Sequence, residues 1–255
     1  MRPRKRRRGA GTGGPEREDL GLLAGLPPTL DFPAPDSQSF DINNRAKFES
    51  LGRAWLGLVE QTVRAGRPMG TEGLELLGVS VSFPASGDGD AVLEQYGDRR
   101  MMAEMRKVFF EEGSNALGHT YAAGMRGPGG RNDLQDVVAL LSAEPASKRA
   151  VVTFCGQGDG QVPCVNVVQF LVREGAVQGM YFARGQDVFR KFYADALCLA
   201  RMAQVVAAGL GLPAGRMTGF IGSGHVYHQD LPAIRELLAK AGMPARPGGP
   251  KGGGG

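Results

Sequence analysis

Apolar residues recur at helical spacing through Phe48, Leu51, Trp55, Leu58 and Val59, with Thr62 in phase and Gly66 ending the pattern. Leu74 and Leu76, then Val79, Val81 and Phe83, alternate as strand residues do, and a break is expected near Gly78. Residues 99–112 read as a helix stopping at Gly113, and Leu134, Val137, Val138 and Leu141 as a short amphipathic one. Strand-like segments follow at 150–154, 164–172 and 177–183. A long, mostly buried helix is predicted over 188–210, a strand over 217–227 and a last helix over 231–241. Strands and helices mix without strict βαβ alternation, which favours an α+β layered domain over a doubly wound sheet.

Both ends lack this periodicity. Residues 1–44 carry a basic run, a glycine run and a proline-rich stretch, and 244–255 are PARPGGPKGGGG. Both read as mostly flexible, which leaves 45–243 as the folded domain. The charge follows the same division. The net charge is +4, yet Arg2, Arg4, Lys5, Arg6, Arg7 and Arg8 supply six of the basic residues. Without them 24 basic residues face 26 acidic ones, so the folded part has no strong basic field and nucleic acid is not an expected partner. No apolar run reaches the roughly 18 residues of a membrane span, and no apolar stretch follows the basic start as in a secretory signal. Three cysteines, Cys155, Cys164 and Cys198, argue against a disulfide framework and make a cytoplasmic location the default. Histidine and cysteine show no metal-ligand spacing, so no metal is expected.

Candidate chemistry is sparse. Cys164, in VPCVNVVQF, starts a predicted strand; a free cysteine there is either a small buried residue or, beside positive charge, a thiolate. GQGDGQ at 156–161 lies between strands and reads as a turn, not a dinucleotide fingerprint. The glycines of GSGH at 222–225 lie in a strand-like segment and suggest a bulge or a close approach. Arg67, Lys148, Arg149 and Arg184 fall at element ends, where guanidinium and ammonium groups could together clamp a phosphate.

Taken in order, these segments resemble the thymidylate synthase superfamily. The match rests on Pro-Cys at 163–164, Gln-Phe at 169–170, ARGQDVF at 183–189 and GHVY at 224–227. Upstream, RPMGTEGLELLG at 67–78, YAAGMR at 121–126 and EPASKRAVV at 144–152 are similar to further elements of the family. The resemblance implies a thymidylate synthase-like α+β layered fold, with a twisted, mainly mixed β-sheet flanked by helices, in an obligate homodimer. It implies that Cys164 adds to C6 of a pyrimidine nucleotide, with 5,10-methylenetetrahydrofolate as the one-carbon donor. Arg184 would bind the phosphate and favour the thiolate. Arg67, Lys148 and Arg149 would be further phosphate ligands, with Lys148 and Arg149 reaching the neighbouring subunit's site. His225 and Tyr227 would hold the sugar hydroxyl, and Asp187 would position the base or close the network. For the general acid/base, EMRKVFFEEGSN offers Glu104, Glu111 and Glu112; Glu104 is the choice, although none stands at the family's offset.

The departures from the family point to the substrate. Asp195 stands where synthases carry the asparagine that reads uracil, an exchange characteristic of the deoxycytidylate hydroxymethylases of this superfamily. A carboxyl group accepts from cytosine N4 and shares a proton with N3. Val165 follows Cys164 where histidine is common, Gly185 replaces a phosphate-site serine, and KFYA replaces the glycine and Pro-Phe before the asparagine. The family's long folate-covering C-terminal segment has no evident counterpart, which predicts more water in the site. The expected activity is therefore 5-hydroxymethylation of CMP or dCMP. CMP is preferred, because similar enzymes serve nucleoside-antibiotic pathways in GC-rich bacteria. The alternatives are synthase-like methylation of UMP or dUMP, and a non-catalytic nucleotide- or RNA-binding protein using the basic start.

Overall fold

The computed structural model describes residues 45–85, 89–111, 121–127, 131–154 and 162–243. The tails expected to be flexible, Cys155, the 156–161 turn and the Glu112–Gly113 helix stop lie outside these residues.

Among the described residues, seven strands form one mixed sheet. The strands are β1 (Arg45–Lys47), β2 (Arg67–Met69), β3 (Gly73–Pro84), β6 (Val151–Thr153), β7 (Val165–Arg173), β8 (Ala176–Asp187) and β9 (Ala214–Tyr227). A separate two-stranded pair joins β4 (Arg126–Gly127) to β5 (Arg131–Asn132). The main sheet runs β1-β3-β9-β8-β7-β6, with β2 also on β3. β8 and β9 pair parallel, β3 and β9 antiparallel. The helices are α1 (Leu51–Ala65), α2 (Ala91–Tyr96), α3 (Arg99–Phe110), α4 (Tyr121–Gly124), α5 (Asp133–Ala143), α6 (Phe192–Leu210) and α7 (Leu231–Lys240). The expected α+β layering with flanking helices is what the chain adopts.

Local chemistry explains the main boundaries. Ser50 caps α1 by accepting from the Arg53 N–H, and its apolar stripe of Leu51, Trp55, Leu58 and Val59 is buried. Asp90 and Asp98 cap α2 and α3 in the same way. Glu174 and Gly175, both with positive φ, form the two-residue turn that joins β7 to β8. β3 runs unbroken through Gly78, whose positive φ absorbs the expected interruption without a register shift.

The long helix starts at Phe192 rather than 188. Residues 187–190 stay out of it because the Val188 N–H donates to the His225 carbonyl, while the Asp187 carboxylate accepts from the Phe189 and Arg190 N–H groups. β8 therefore extends to Asp187. α6 is long and apolar enough by composition to cross a membrane, where the sequence pattern promised no such run. Ala194, Leu199, Met202 and Val206 are fully buried in the core cluster, so it is the central core helix of the domain.

Among the described residues, one face of the sheet exposes large apolar side chains. Phe182 and Phe220, level with each other across β8 and β9, are 43% and 45% exposed, while the neighbouring Tyr181 and Ile221 are buried.

Candidate active site

Cys164 lies one residue before β7, and the chain around it is held from three directions. Its carbonyl accepts the Arg184 N–H at 2.9 Å. The same N–H reaches Asn166 Oδ1 at 3.0 Å, and Asn166 Nδ2 donates to the Pro163 carbonyl at 2.9 Å. Asn166 can do this because the β7–β8 register shifts between Val165 and Val167, a bulge of the kind that re-aims side chains beside functional sites. The Arg184 guanidinium closes the loop, donating from Nε and Nη2 to the Val162 carbonyl at 2.9 and 2.7 Å. Gly222 lies across β9 from this point. A Cβ there would stand 2.7 Å from the Arg184 carbonyl, so the expected close approach in GSGH is one of backbone to backbone.

Two features oppose each other at the Cys164 thiol. Burial pushes its pKa up and the Asp195 carboxylate adds to this, while Lys191 and Arg184 pull it down. The pull of Arg184 and Lys191 is outweighed by burial and Asp195.

Asp195 lies in the first turn of α6, where the helix dipole favours negative charge. It is 2% exposed. Its Oδ2 accepts from Gln186 Nε2 at 2.7 Å, and its Oδ1 has no hydrogen-bond partner among the described residues. Burial drives its pKa up to about 6 against the pull of Lys191 and the Gln186 hydrogen bond.

Asp187 closes β8, level with His225 on β9. Burial raises its pKa, opposed by its backbone hydrogen bond and by His225 and Arg190. Arg190 in turn is paired with the buried Asp230, which pins the turn after Asp187. His225 Nδ1 lies 3.3 Å from the Ser223 carbonyl, within hydrogen-bonding reach of it. The His225 and Tyr227 rings meet edge to face at 5.4 Å.

The structure gathers Cys164, Arg184, Asp187 and Asp195 within electrostatic reach of one another, with His225 and Tyr227 adjoining Asp187. Arg67 is exposed on β2, opposite Glu75 on β3, which in turn lies opposite His225 on β9. Lys148 and Arg149 lie exposed in the α5–β6 loop, where Arg149 makes a double hydrogen bond to Glu144. Glu104 does not join the site among the described residues. It sits on the exposed side of α3, because Met105, Val108 and Phe109 form that helix's buried face. Glu111, its alternative, is exposed as well.

Four site residues had no assigned role. Tyr121 is buried, stacks on Phe109 at 4.1 Å and accepts the Val165 N–H. Its hydroxyl is pushed up by burial and by Asp195, and it also feels Cys164 and Arg184. YAAGMR had marked this segment, though not this residue. Asn166, Gln186 and Lys191 lie inside VPCVNVVQF, ARGQDVF and KFYA, but nothing in those letters singled them out.

Comparison with known families matches residues 95–247 to the one described as Thymidylate synthase. The chain is 25% identical to the "Putative thymidylate synthase" of Methanothermobacter marburgensis, over 74% of this chain and 96% of that protein. A protein of the same name from Methanothermobacter thermautotrophicus is 27% identical over 57% of this chain and 64% of its own length. The "Thymidylate synthase" of Listeria monocytogenes serotype 4a is 23% identical, and the match covers 43% of this chain and 36% of that protein. The matched family region takes in more than half of the chain, with Cys164, Arg184, Asp195 and His225 inside it. The chain therefore belongs to the thymidylate synthase family, a family of one-carbon transferases.

Proposed function

We propose that this protein is a cytidylate 5-hydroxymethylase, acting on CMP or dCMP with 5,10-methylenetetrahydrofolate and water. The observation that carries this reading is the buried carboxyl of Asp195 with its open Oδ1. Uracil offers an acceptor at O4 and a donor at N3; cytosine offers a donor at N4 and an acceptor at N3. A carboxyl group that holds one proton meets both cytosine positions, and a pKa near 6 lets it share that proton with N3.

The proton has a second effect. Sharing it with N3 draws electron density from the ring and opens C6 to attack. It also removes the Asp195 charge that opposes ionisation of Cys164, so binding the right base and activating the thiol are coupled. The Cys164 sulfur then bonds to C6, and C5 becomes nucleophilic. When bound, 5,10-methylenetetrahydrofolate supplies a one-carbon unit at the oxidation level of formaldehyde. Once C5 holds that carbon in place of its proton and tetrahydrofolate has left it, water oxygen would bond to the exocyclic carbon, and the sulfur–C6 bond would break to regenerate the thiol. The base gains CH2OH in place of hydrogen, and nothing is oxidised or reduced.

On this reading the donor lies in the groove lined by Trp55, Tyr96, Asp98, Tyr193, Phe189 and Arg190, the last two following Asp187 by two and three residues. Flat aromatic walls with a few polar groups suit a planar heterocycle. Arg184, with Nε and Nη2 on a backbone carbonyl, keeps Nη1 for a phosphate, and Arg67 is a second phosphate ligand. The apolar face around Phe182 and Phe220 is covered by a second copy, which brings Lys148 and Arg149 to the neighbouring site.

Isothermal titration of the protein and of Asp195→Asn with CMP and UMP tests the reading. The protein binds CMP more tightly than UMP, and the asparagine variant reverses the order; an unchanged order refutes the role of Asp195. Methylation of uridylate is the second reading, favoured by the names of the relatives. Formation of dihydrofolate during turnover, seen by absorbance, would establish it. A non-catalytic binding role would require that Cys164→Ala leave every activity intact.

A further inference from the structure

Asp195 does not stand alone. Gln186, at the end of β8 and level with Gly224 of β9, is also only 2% exposed, and its amide donates to Asp195 Oδ2 at 2.7 Å. This bond joins the sheet to the first turn of α6. Among the described residues each partner keeps one buried acceptor without a donor: Oδ1 of Asp195 and Oε1 of Gln186. Buried acceptors are seldom left this way, and two in one hydrogen-bonded pair are a specific chemical request. When Asp195 is ionised it only accepts, so the Gln186 NH2 group faces it and Oε1 faces elsewhere.

We propose that Gln186 is the second half of the base reader: its amide fixes the Asp195 carboxyl, and its carbonyl oxygen joins Asp195 Oδ1 as a paired receptor for the two N–H groups of an exocyclic amine. This rests on the reading of Asp195 as the contact to the base. A primary amino group on an aromatic ring supplies two donors in one plane, as the pair requires. A ring carbonyl in the same place brings lone pairs against two acceptors and is rejected. The pair therefore selects by what it repels as well as by what it binds.

Gln186 also sets the pH range of that contact. The groups that bear on Asp195 are Lys191 and Cys198 on α6, Asp187 and Tyr181 on β8, Cys164 ahead of β7 and Tyr121 on α4. Of these only Lys191, together with the Gln186 amide, holds the carboxyl pKa down. Without the amide, Asp195 keeps its proton to higher pH, and the alkaline limit of cytidylate binding moves up with it.

The test is binding and steady-state turnover of CMP and UMP, from pH 5 to 9, by the full chain and by Gln186→Met, Gln186→Glu and Asp195→Asn. Losing a hydrogen bond to a charged group predicts that Gln186→Met weakens CMP binding about 10- to 100-fold, mostly in KM rather than kcat, with UMP little changed. Its alkaline limb for CMP shifts upward. A folded Gln186→Met with the parent's CMP preference and limb overturns the proposal. If that variant does not fold, Gln186→Glu preserves the shape and the second acceptor but places a like charge beside Asp195. It keeps the preference for CMP and moves the limb upward; an unmoved limb overturns the proposal. Asp195→Asn separates the two claims. If it leaves CMP preferred, the reading of Asp195 falls and this proposal with it. If it abolishes the preference while the Gln186 variants behave as the parent, Gln186 alone is excluded.

Discussion

The backbone N–H of Arg184 donates to the carbonyl of Cys164 at 2.9 Å. The arginine proposed to bind a phosphate and the cysteine proposed to attack a pyrimidine are thus held at a fixed spacing by backbone pairing. The guanidinium bond to Val162 tightens the same loop. The site's geometry depends on backbone pairing, so conservative side-chain changes should alter chemistry without undoing the fold.

Cys164→Ala follows first from this. The side chain is only partly buried and makes no side-chain hydrogen bond that the loop needs. The variant should melt within a few degrees of the parent and bind CMP, yet lose turnover on the order of 10⁶-fold, as removal of a covalent nucleophile does elsewhere. Single-turnover mass analysis of a trapped nucleotide adduct gives the check: the parent forms it and the variant does not.

Asp195 makes a prediction about stability. Burial raises its pKa from an ordinary 3.8 to about 6. Between these values the native chain holds more protons than the unfolded chain, so its stability falls as pH rises through the window and is level above it. The charged carboxyl then costs up to about 3 kcal/mol at neutral pH. Asp195→Asn should therefore gain stability relative to the parent as pH rises from 4 to 7, read as the difference in urea midpoints. A difference that stays constant with pH would refute the raised pKa.

Arg149 tests the shared site. Its pair with Glu144 is largely exposed, so Arg149→Gln should change stability by less than about 1 kcal/mol. If the arginine serves the neighbouring subunit, its loss should raise KM for the nucleotide. Mixing Arg149→Gln with Cys164→Ala protomers should then restore activity to about a quarter of the parent's, because half of the dimers regain one intact site. Mixtures no more active than their components would place Arg149 elsewhere.

Phe182 tests the face that would bring those residues together. Phe182→Asp puts a charge in the centre of the exposed apolar patch with Phe220. Sedimentation should show a dimer for the parent and a monomer for the variant, with activity lost alongside. A parent that sediments as a monomer would remove the dimer from the account.

Much of the fold was legible because its main elements exceed a full hydrophobic period. The stripe of α1 and the alternation in β3, β7 and β9 are long enough to be read from apolar spacing. α4, β4 and β5, with four, two and two residues, are too short to show a period. The end of β8 was missed for another reason: Asp187 and the His225 carbonyl hold the chain extended where its apolar content suggests helix. The site shows the same division. Cys164, Arg184, Asp187 and His225 stand in family-like motifs and were legible as letters. Gln186 was not, because its meaning comes from a contact nine residues on, made only when β8 and α6 pack. Glu104 failed because helical spacing gives a face but not which way that face turns.

The central claim is that Asp195 makes this a cytosine enzyme that ends its reaction with water. Incubating the full chain with CMP, dCMP, UMP and dUMP, tetrahydrofolate and formaldehyde, and weighing the products, tests it most directly. The account predicts a gain of one CH2O unit on a cytosine nucleotide, with no dihydrofolate formed and no gain when Cys164 is alanine. A gain confined to uracil nucleotides, or a methyl group formed with dihydrofolate, would contradict it.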